Sequence, residues 1–332
     1  MRAGVEWMER HQVPLYLAAL VAGAGIGLLA PGVAAPAELA INPVLGLLLY
    51  ATFLGVPFAK IGQAFRDWRF LTTIVMVNFV AVPVVVFLLS RIVAHDRVLL
   101  IGVLFVLLTP CVDYVIVFTG IAGGAKDRLL AAAPLLMLAQ MLLLPLYLWL
   151  FVGAEFAQAV DLAPFVEAFL LLIALPLVAA GLTQLAAVRT RAGRMVQDVV
   201  LGAMVPLMML TLAVVVASQI TGVGHQLAAL LIVIPVYVLF AAVMVPIGAV
   251  AGRIARLDEP GRRAIVFSGV TRNSLVVLPL VLALPERFDL APLVVVTQTL
   301  VELMIMVVFV RLIPRLIRTP SPRRPRSVTA AR

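Results

Sequence analysis

Long apolar runs alternate with short polar interruptions along the whole chain. About 20 consecutive apolar residues, as a helix, cross the roughly 30 Å of hydrocarbon in a bilayer. Ten runs approach or exceed that length: 13–30, 42–59, 70–90, 98–120, 129–153, 163–187, 196–218, 226–251, 262–284 and 290–313. None shows the short alternating blocks of about ten residues expected of a membrane β-barrel. The pattern predicts an all-α integral membrane fold of ten transmembrane helices with short loops and no separate soluble domain.

Composition supports the same class. Hydrophobic residues make up 64% of the 332 and charged residues only 12%, against about 25% charged in a typical soluble domain. A water-soluble enzyme is thereby excluded. The single cysteine, Cys111, permits no disulfide within the chain. The three histidines (His11, His95, His225) all fall near predicted span ends, so no histidine metal cage is expected. No nucleophile lies beside a base, which argues against an enzyme, and no cofactor motif is present.

The net charge of +9 reflects topology. Of the 25 Lys and Arg residues, 21 lie in the terminal segments and in the loops that share their side of the membrane. The positive-inside rule then puts both termini in the cytoplasm of a bacterial-type plasma membrane. No basic face carries interleaved aromatics, so nucleic acid is not an expected partner. The first run, although preceded by charge, is long enough to count as a span rather than a signal peptide.

The uncharged-by-Lys/Arg segment Gly153–Ala163 divides the spans five and five. Five is odd, so the second half enters from the opposite side. Residues 1–153 and 154–318 are therefore expected to form two inverted five-helix repeats, followed by a Pro/Arg-rich tail, 319–332. Transporters built this way bind substrate near the midplane, at discontinuous helices in corresponding positions. Helices 4 and 9 fit that description. The fourth span carries Thr109-Pro110-Cys111-Val112-Asp113-Tyr114, and the ninth carries Ser268-Gly269-Val270-Thr271-Arg272-Asn273-Ser274.

Charge separates these two spans from the others that contain proline. Asp113 and Arg272 each cost about 2.5–3.5 kcal/mol at a helix centre on insertion scales, and the expectation is that they face one another. A third intramembrane charge, Glu302, shares a helix face with Gln298, four residues earlier. A carboxyl in a low-dielectric site favours its neutral form, which suits reversible proton binding.

The segment Leu108–Phe118 with its central cysteine, the acidic Val301-Glu302 of the last span and Asn273 of the ninth resemble the Acr3-type arsenite efflux permeases, within the bile acid/sodium symporter superfamily. The resemblance covers nearly the whole chain, with departures. Pro110 stands where that family carries an arginine, and Ser274, Leu275 and Val276 replace its second asparagine and glutamate region. Asp113 is an added acid.

The resemblance implies a secondary transporter that exports arsenite, and antimonite as a second cargo, against inward proton movement. Cys111 is then the metalloid ligand, because soft trivalent arsenic favours sulfur. Asn273, Thr271, Ser274 and Arg272 line the substrate site, and Glu302 and Asp113 carry the proton. The alternative within the same fold is a sodium-coupled carrier of organic anions, with Arg272 on the substrate carboxylate. Either way the partners are a small inorganic or anionic substrate, protons or sodium, and the lipid bilayer.

Overall fold

The computed structural model describes residues 11–56, 65–112, 114–153 and 170–318, together with 4, 5, 7, 8 and 167. Twelve helices organise it: α1 (Gln12–Leu29), α2 (Ala34–Gly55), α3 (Trp68–Val93, with a π-turn at Val77–Ala81), α4 (Arg97–Leu107), α5 (Tyr114–Ile121), α6 (Lys126–Val152), α7 (Leu175–Arg189), α8 (Arg191–Gly202), α9 (Met204–Ile254), α10 (Glu259–Val270), α11 (Ser274–Leu282) and α12 (Ala291–Leu316). The expectation of an all-α membrane protein is met. Among the described residues, five helices are long and apolar enough to cross a bilayer alone: Pro31–Gly55, α3, α6, the Ala228–Ile254 part of α9, and α12. A sixth arises if α8 and the first part of α9, bent by 47°, count together.

Two of the predicted spans are broken. The fourth becomes α4 and α5, and the ninth becomes α10 and α11, none of them longer than 12 residues. The turn expected between the seventh and eighth runs is not seen, because the backbone is helical from Met204 to Ile254. No proline lies between Pro206 and Pro235, so nothing there removes a backbone donor, and polar side chains alone do not stop a helix. The segment 154–163, the tail 319–332 and Asp113 lie outside the described residues.

The helices pack in two groups. In one, α1 and α2 pack on α9, and α7 and α8 pack on each other and on α2. Close approach there depends on glycine. A Cβ on Gly23 would sit 2.5 Å from the Ala213 carbonyl oxygen, and one on Gly27 would sit 2.7 Å from that of Ala217. This is small-residue packing of the kind that holds membrane helices together without a hydrophobic driving force. Tyr50 on α2 meets Thr183 on α7 at 2.8 Å, and Gln184 donates to the free carbonyls of Leu54 and Val56 where α2 ends. Gly23→Leu and Gly27→Leu should each force α1 off α9, at a cost of about 1–3 kcal/mol or more for overpacking. Lowered melting midpoints in detergent, with Gly25→Leu nearly silent because nothing lies within 4 Å of its Cβ position, would bear this out.

The second group holds the broken helices, with α3, α6, α12 and the later part of α9. One end of this group gathers several of the basic loops. Arg128 reaches Asp258 at 2.7 Å and Asp67 at 3.3 Å, and the Ala125 amide donates to the Pro260 carbonyl at 2.9 Å. Arg263 pairs with Glu259 and donates to the carbonyls of Ala122 and Ile317, both at 3.1 Å. Segments assigned to one side of the membrane from charge alone thus meet at one end of the bundle. Exposed pairs such as Arg128–Asp258 add little stability, so their value is positional.

Candidate functional site

Both helix breaks have local causes. Pro110 has no amide hydrogen and disfavours helical geometry in the residue before it, so α4 stops at Leu107. In the second half α10 stops at Val270, and Thr271 turns extended, with φ −82° and ψ 137°. Asn273 then restarts the chain as the cap of α11, its Oδ1 accepting from the Val276 amide at 3.2 Å.

Broken backbone deep in a membrane protein must find partners inside the protein, and here the two breaks supply each other. Pro110 and Arg272 form an isolated antiparallel bridge. The Asn273 amide donates to the Thr109 carbonyl at 2.8 Å, and the Cys111 amide donates to the Thr271 carbonyl at 3.3 Å. The extended peptides therefore cross, and the crossing is buried: Thr109, Cys111, Thr271, Arg272, Asn273 and Ser274 are each at most 1% exposed.

Glu302 joins the crossing from α12. Its Oε1 lies 2.5 Å from the Tyr114 hydroxyl, which is also 3.0 Å from the Arg272 carbonyl, so one hydroxyl proton serves two acceptors. Its Oε2 accepts from the Arg272 backbone amide at 2.8 Å and from the Gln298 side-chain amide. A cavity of about 10 Å³ opens beside Glu302 and Gln298, walled by Leu107, Tyr237, Phe240 and Val270. That is the room of a single water.

The Arg272 side chain turns away from this carboxyl. Its Nη2 donates to Asn78 Oδ1 at 2.8 Å and to the carbonyls of Ser268 and Gly269 at 2.5 and 3.0 Å. Its Nη1 donates to the Leu107 carbonyl at 3.4 Å, and the Phe240 ring faces the guanidinium with its centroid 5.5 Å away. Asn78 is itself oriented by donating to Ser268 Oγ at 2.9 Å and to the Ile74 carbonyl at 3.0 Å.

Of the residues singled out from sequence, the structure brings Cys111, Thr271, Arg272, Asn273 and Glu302 together at the crossing. Ser274 begins α11 and meets Thr299 at 2.7 Å, while the Thr271 hydroxyl is spent on the Phe267 carbonyl of its own helix. Asn273 Nδ2 and Arg272 Nε are both buried without a hydrogen-bond partner, and the Asn273 amide is the uncharged one of these two donors. The expected Asp113–Arg272 pairing concerns a residue outside the description. Among the described residues no three His, Cys, Asp or Glu converge as a metal cage. Sequence reasoning missed Asn78 and Phe240 and gave Tyr114 no role. The signal for Asn78 was available: it is the sole amide side chain in the run 70–90.

A pair of broken helices crossing inside an all-α membrane protein, with a carboxyl at the crossing, is a carrier's architecture. Residues 42–226, more than half the chain, match the family model described as Sodium Bile acid symporter family. The chain belongs to the sodium bile acid symporter family. Asn78, Cys111 and Tyr114 lie within the matched stretch, and Arg272 and Glu302 lie beyond it. No curated protein matches the chain. Membership of this symporter family makes the protein a multi-pass membrane transporter rather than an enzyme. It also implies a small anionic substrate whose movement is coupled to an ion.

Proposed function

We propose that this member of the family is a plasma-membrane secondary transporter that exports arsenite, with antimonite as a second cargo, in exchange for protons. The observation that carries this reading is the placement of the chain's one thiol, Cys111, in the buried crossing alongside Arg272 and close to the residues that hold Glu302. Condensation of the Cys111 thiol with an As–OH group forms an S–As bond and releases water, and hydrolysis reverses it on the far side. A single sulfur gives the weak capture that a carrier needs, since the cargo must also leave. Glu302 exchanges the proton, and Asn273 offers its unpartnered amide to an oxygen of the cargo. Asp113 is assigned to proton movement on sequence grounds, and Thr271 and Ser274 to the lining of the site.

The wider frame of the proposal is two inverted repeats of five spans, residues 1–153 and 154–318, with a cytoplasmic tail at 319–332 and both termini cytoplasmic. Alternating access then comes from one helix group rocking against the other around a fixed crossing. The thiol is fully buried in the closed arrangement, so cargo reaches it only when the groups part.

Cys111→Ser should reduce arsenite accumulation by everted membrane vesicles to the background of vesicles lacking the protein, and should remove protection of an arsenite-sensitive strain. Transport unchanged by that substitution would overturn the metalloid reading. It would leave the second reading, a sodium-coupled carrier of organic anions, which is in keeping with the family's description; sodium-dependent uptake indifferent to Cys111 would establish it.

A further inference from the structure

We infer that the guanidinium of Arg272 is a built-in cation, occupying an oxygen cage of the kind that binds sodium in other carriers, so that this chain needs no sodium to complete its crossing. The inference rests on the carrier reading above and specifies the coupling ion within it.

The cage is assembled from three helices. Leu107 contributes the last carbonyl of α4, and Ser268 and Gly269 contribute carbonyls from the last turn of α10. Asn78 adds a side-chain oxygen from α3. All four acceptors are neutral oxygens, at 2.5–3.4 Å from the guanidinium nitrogens. Each helix C-terminus carries the negative end of its dipole, and here the ends of α4 and α10 converge on one point. Unwound carbonyls and half-helix C-termini are the parts from which secondary transporters make sites for sodium. Sodium is a hard cation satisfied by such oxygens. In this chain the centre of the cage is filled by a side chain that is itself 0% exposed.

A tethered cation differs from a dissociable one in a way that bears on coupling. It holds α3, α4 and α10 together in every cycle and cannot be driven by a sodium gradient. The gradient must then act elsewhere, and Glu302 is the group on the other side of the same residue: Arg272 gives its side chain to the cage and its backbone amide to that carboxyl. One residue thus separates a permanent charge from an exchangeable one.

The test uses the purified full-length protein in detergent and needs no knowledge of the cargo. Wild-type melting midpoints should be the same in sodium, potassium and N-methylglucamine chlorides at equal ionic strength. Arg272→Ala should melt lower by on the order of 10 °C, and low-millimolar guanidinium or sodium chloride, but not N-methylglucamine, should restore at least half of the loss. Arg272→Lys keeps the charge with fewer donors and should remain well above the alanine variant without sodium. A sodium-specific rise in the wild type overturns the inference. So does an alanine variant that neither cation stabilises, or, if that variant cannot be purified, a lysine variant that fails to fold as well. Failure of arsenite transport with these stability results intact would count against the proposed cargo alone.

Discussion

Glu302→Gln is expected to bring proton-driven export to background while the protein still folds. In the native arrangement one carboxylate oxygen faces the Tyr114 hydroxyl and the other faces the Arg272 amide and Gln298. Glutamine has the same footprint but one oxygen and one NH2. With the oxygen toward Arg272 and Gln298, the NH2 meets the Tyr114 hydroxyl, which can accept through a lone pair and turn its proton to the Arg272 carbonyl 3.0 Å away. Every donor keeps a partner, so the cost in stability is that of one exchanged hydrogen bond, about 0.5–1.5 kcal/mol. Proton exchange, in contrast, is lost outright. Arsenite movement into everted vesicles under an imposed pH gradient, with a melting curve as the control for folding, separates the two effects. Persistence of gradient-driven transport in the glutamine variant would move coupling to another group. Glu302→Ala is the contrasting case: the Tyr114 hydroxyl keeps the Arg272 carbonyl, but the Arg272 amide and the Gln298 side-chain amide are stranded, at about 1–3 kcal/mol each, so the variant should lose stability together with the activity.

The crossing was legible in the chain because its causes are local. Pro110 withholds a backbone donor and biases the residue before it out of helical geometry; the helices that run through Pro43, Pro145 or Pro235 show that proline alone is not enough, and it is the polar Thr271-Arg272-Asn273 in the matching span that marks the pair. A buried Glu302 followed from its place in an apolar run. What escaped was the direction of the Arg272 side chain. Sequence reasoning looked to opposite charge, in Asp113, which lies outside the described residues, and not to neutral oxygens. Carbonyls at helix ends are invisible in a sequence, since every residue has one and only the fold decides which are left over. The helix running through 219–225 was missed for the converse reason: Gln219, Thr221 and His225 resemble a loop by polarity, yet none of them denies the backbone a hydrogen bond. The glycines on α1 illustrate a third limit. Gly23 and Gly27 at a four-residue spacing suggest a close helix contact, but the identity of the partner, Ala213 and Ala217 nearly 200 residues later, depends on the tertiary fold.

Asn78 is the residue whose loss should most directly expose the dependence of the crossing on its surroundings. It reaches from α3 to α10, accepting from the Arg272 guanidinium while its own amide donates to Ser268 and Ile74. Asn78→Leu preserves volume and removes all three bonds, leaving a fully buried cation short of one oxygen. Hydrogen bonds to charged groups contribute about 1.5–3 kcal/mol each, and stripping a partner from a buried charge costs about 3–5 kcal/mol. A fall in the melting midpoint of about 5–10 °C is therefore expected. Asn78→Asp should fare better than leucine, because it keeps an oxygen opposite the guanidinium and the Ser268 hydroxyl can rotate to donate to it. The order asparagine, aspartate, leucine is the informative result, since a purely steric role would leave leucine and aspartate equally tolerated. Combining Asn78→Leu with Arg272→Leu should cost less than the sum of the two single changes by more than 1 kcal/mol, in the range found for residues of one hydrogen-bond network. Strict additivity in that cycle would mean that the amide and the guanidinium stabilise the fold independently, and that the oxygens around Arg272 do not act as one site.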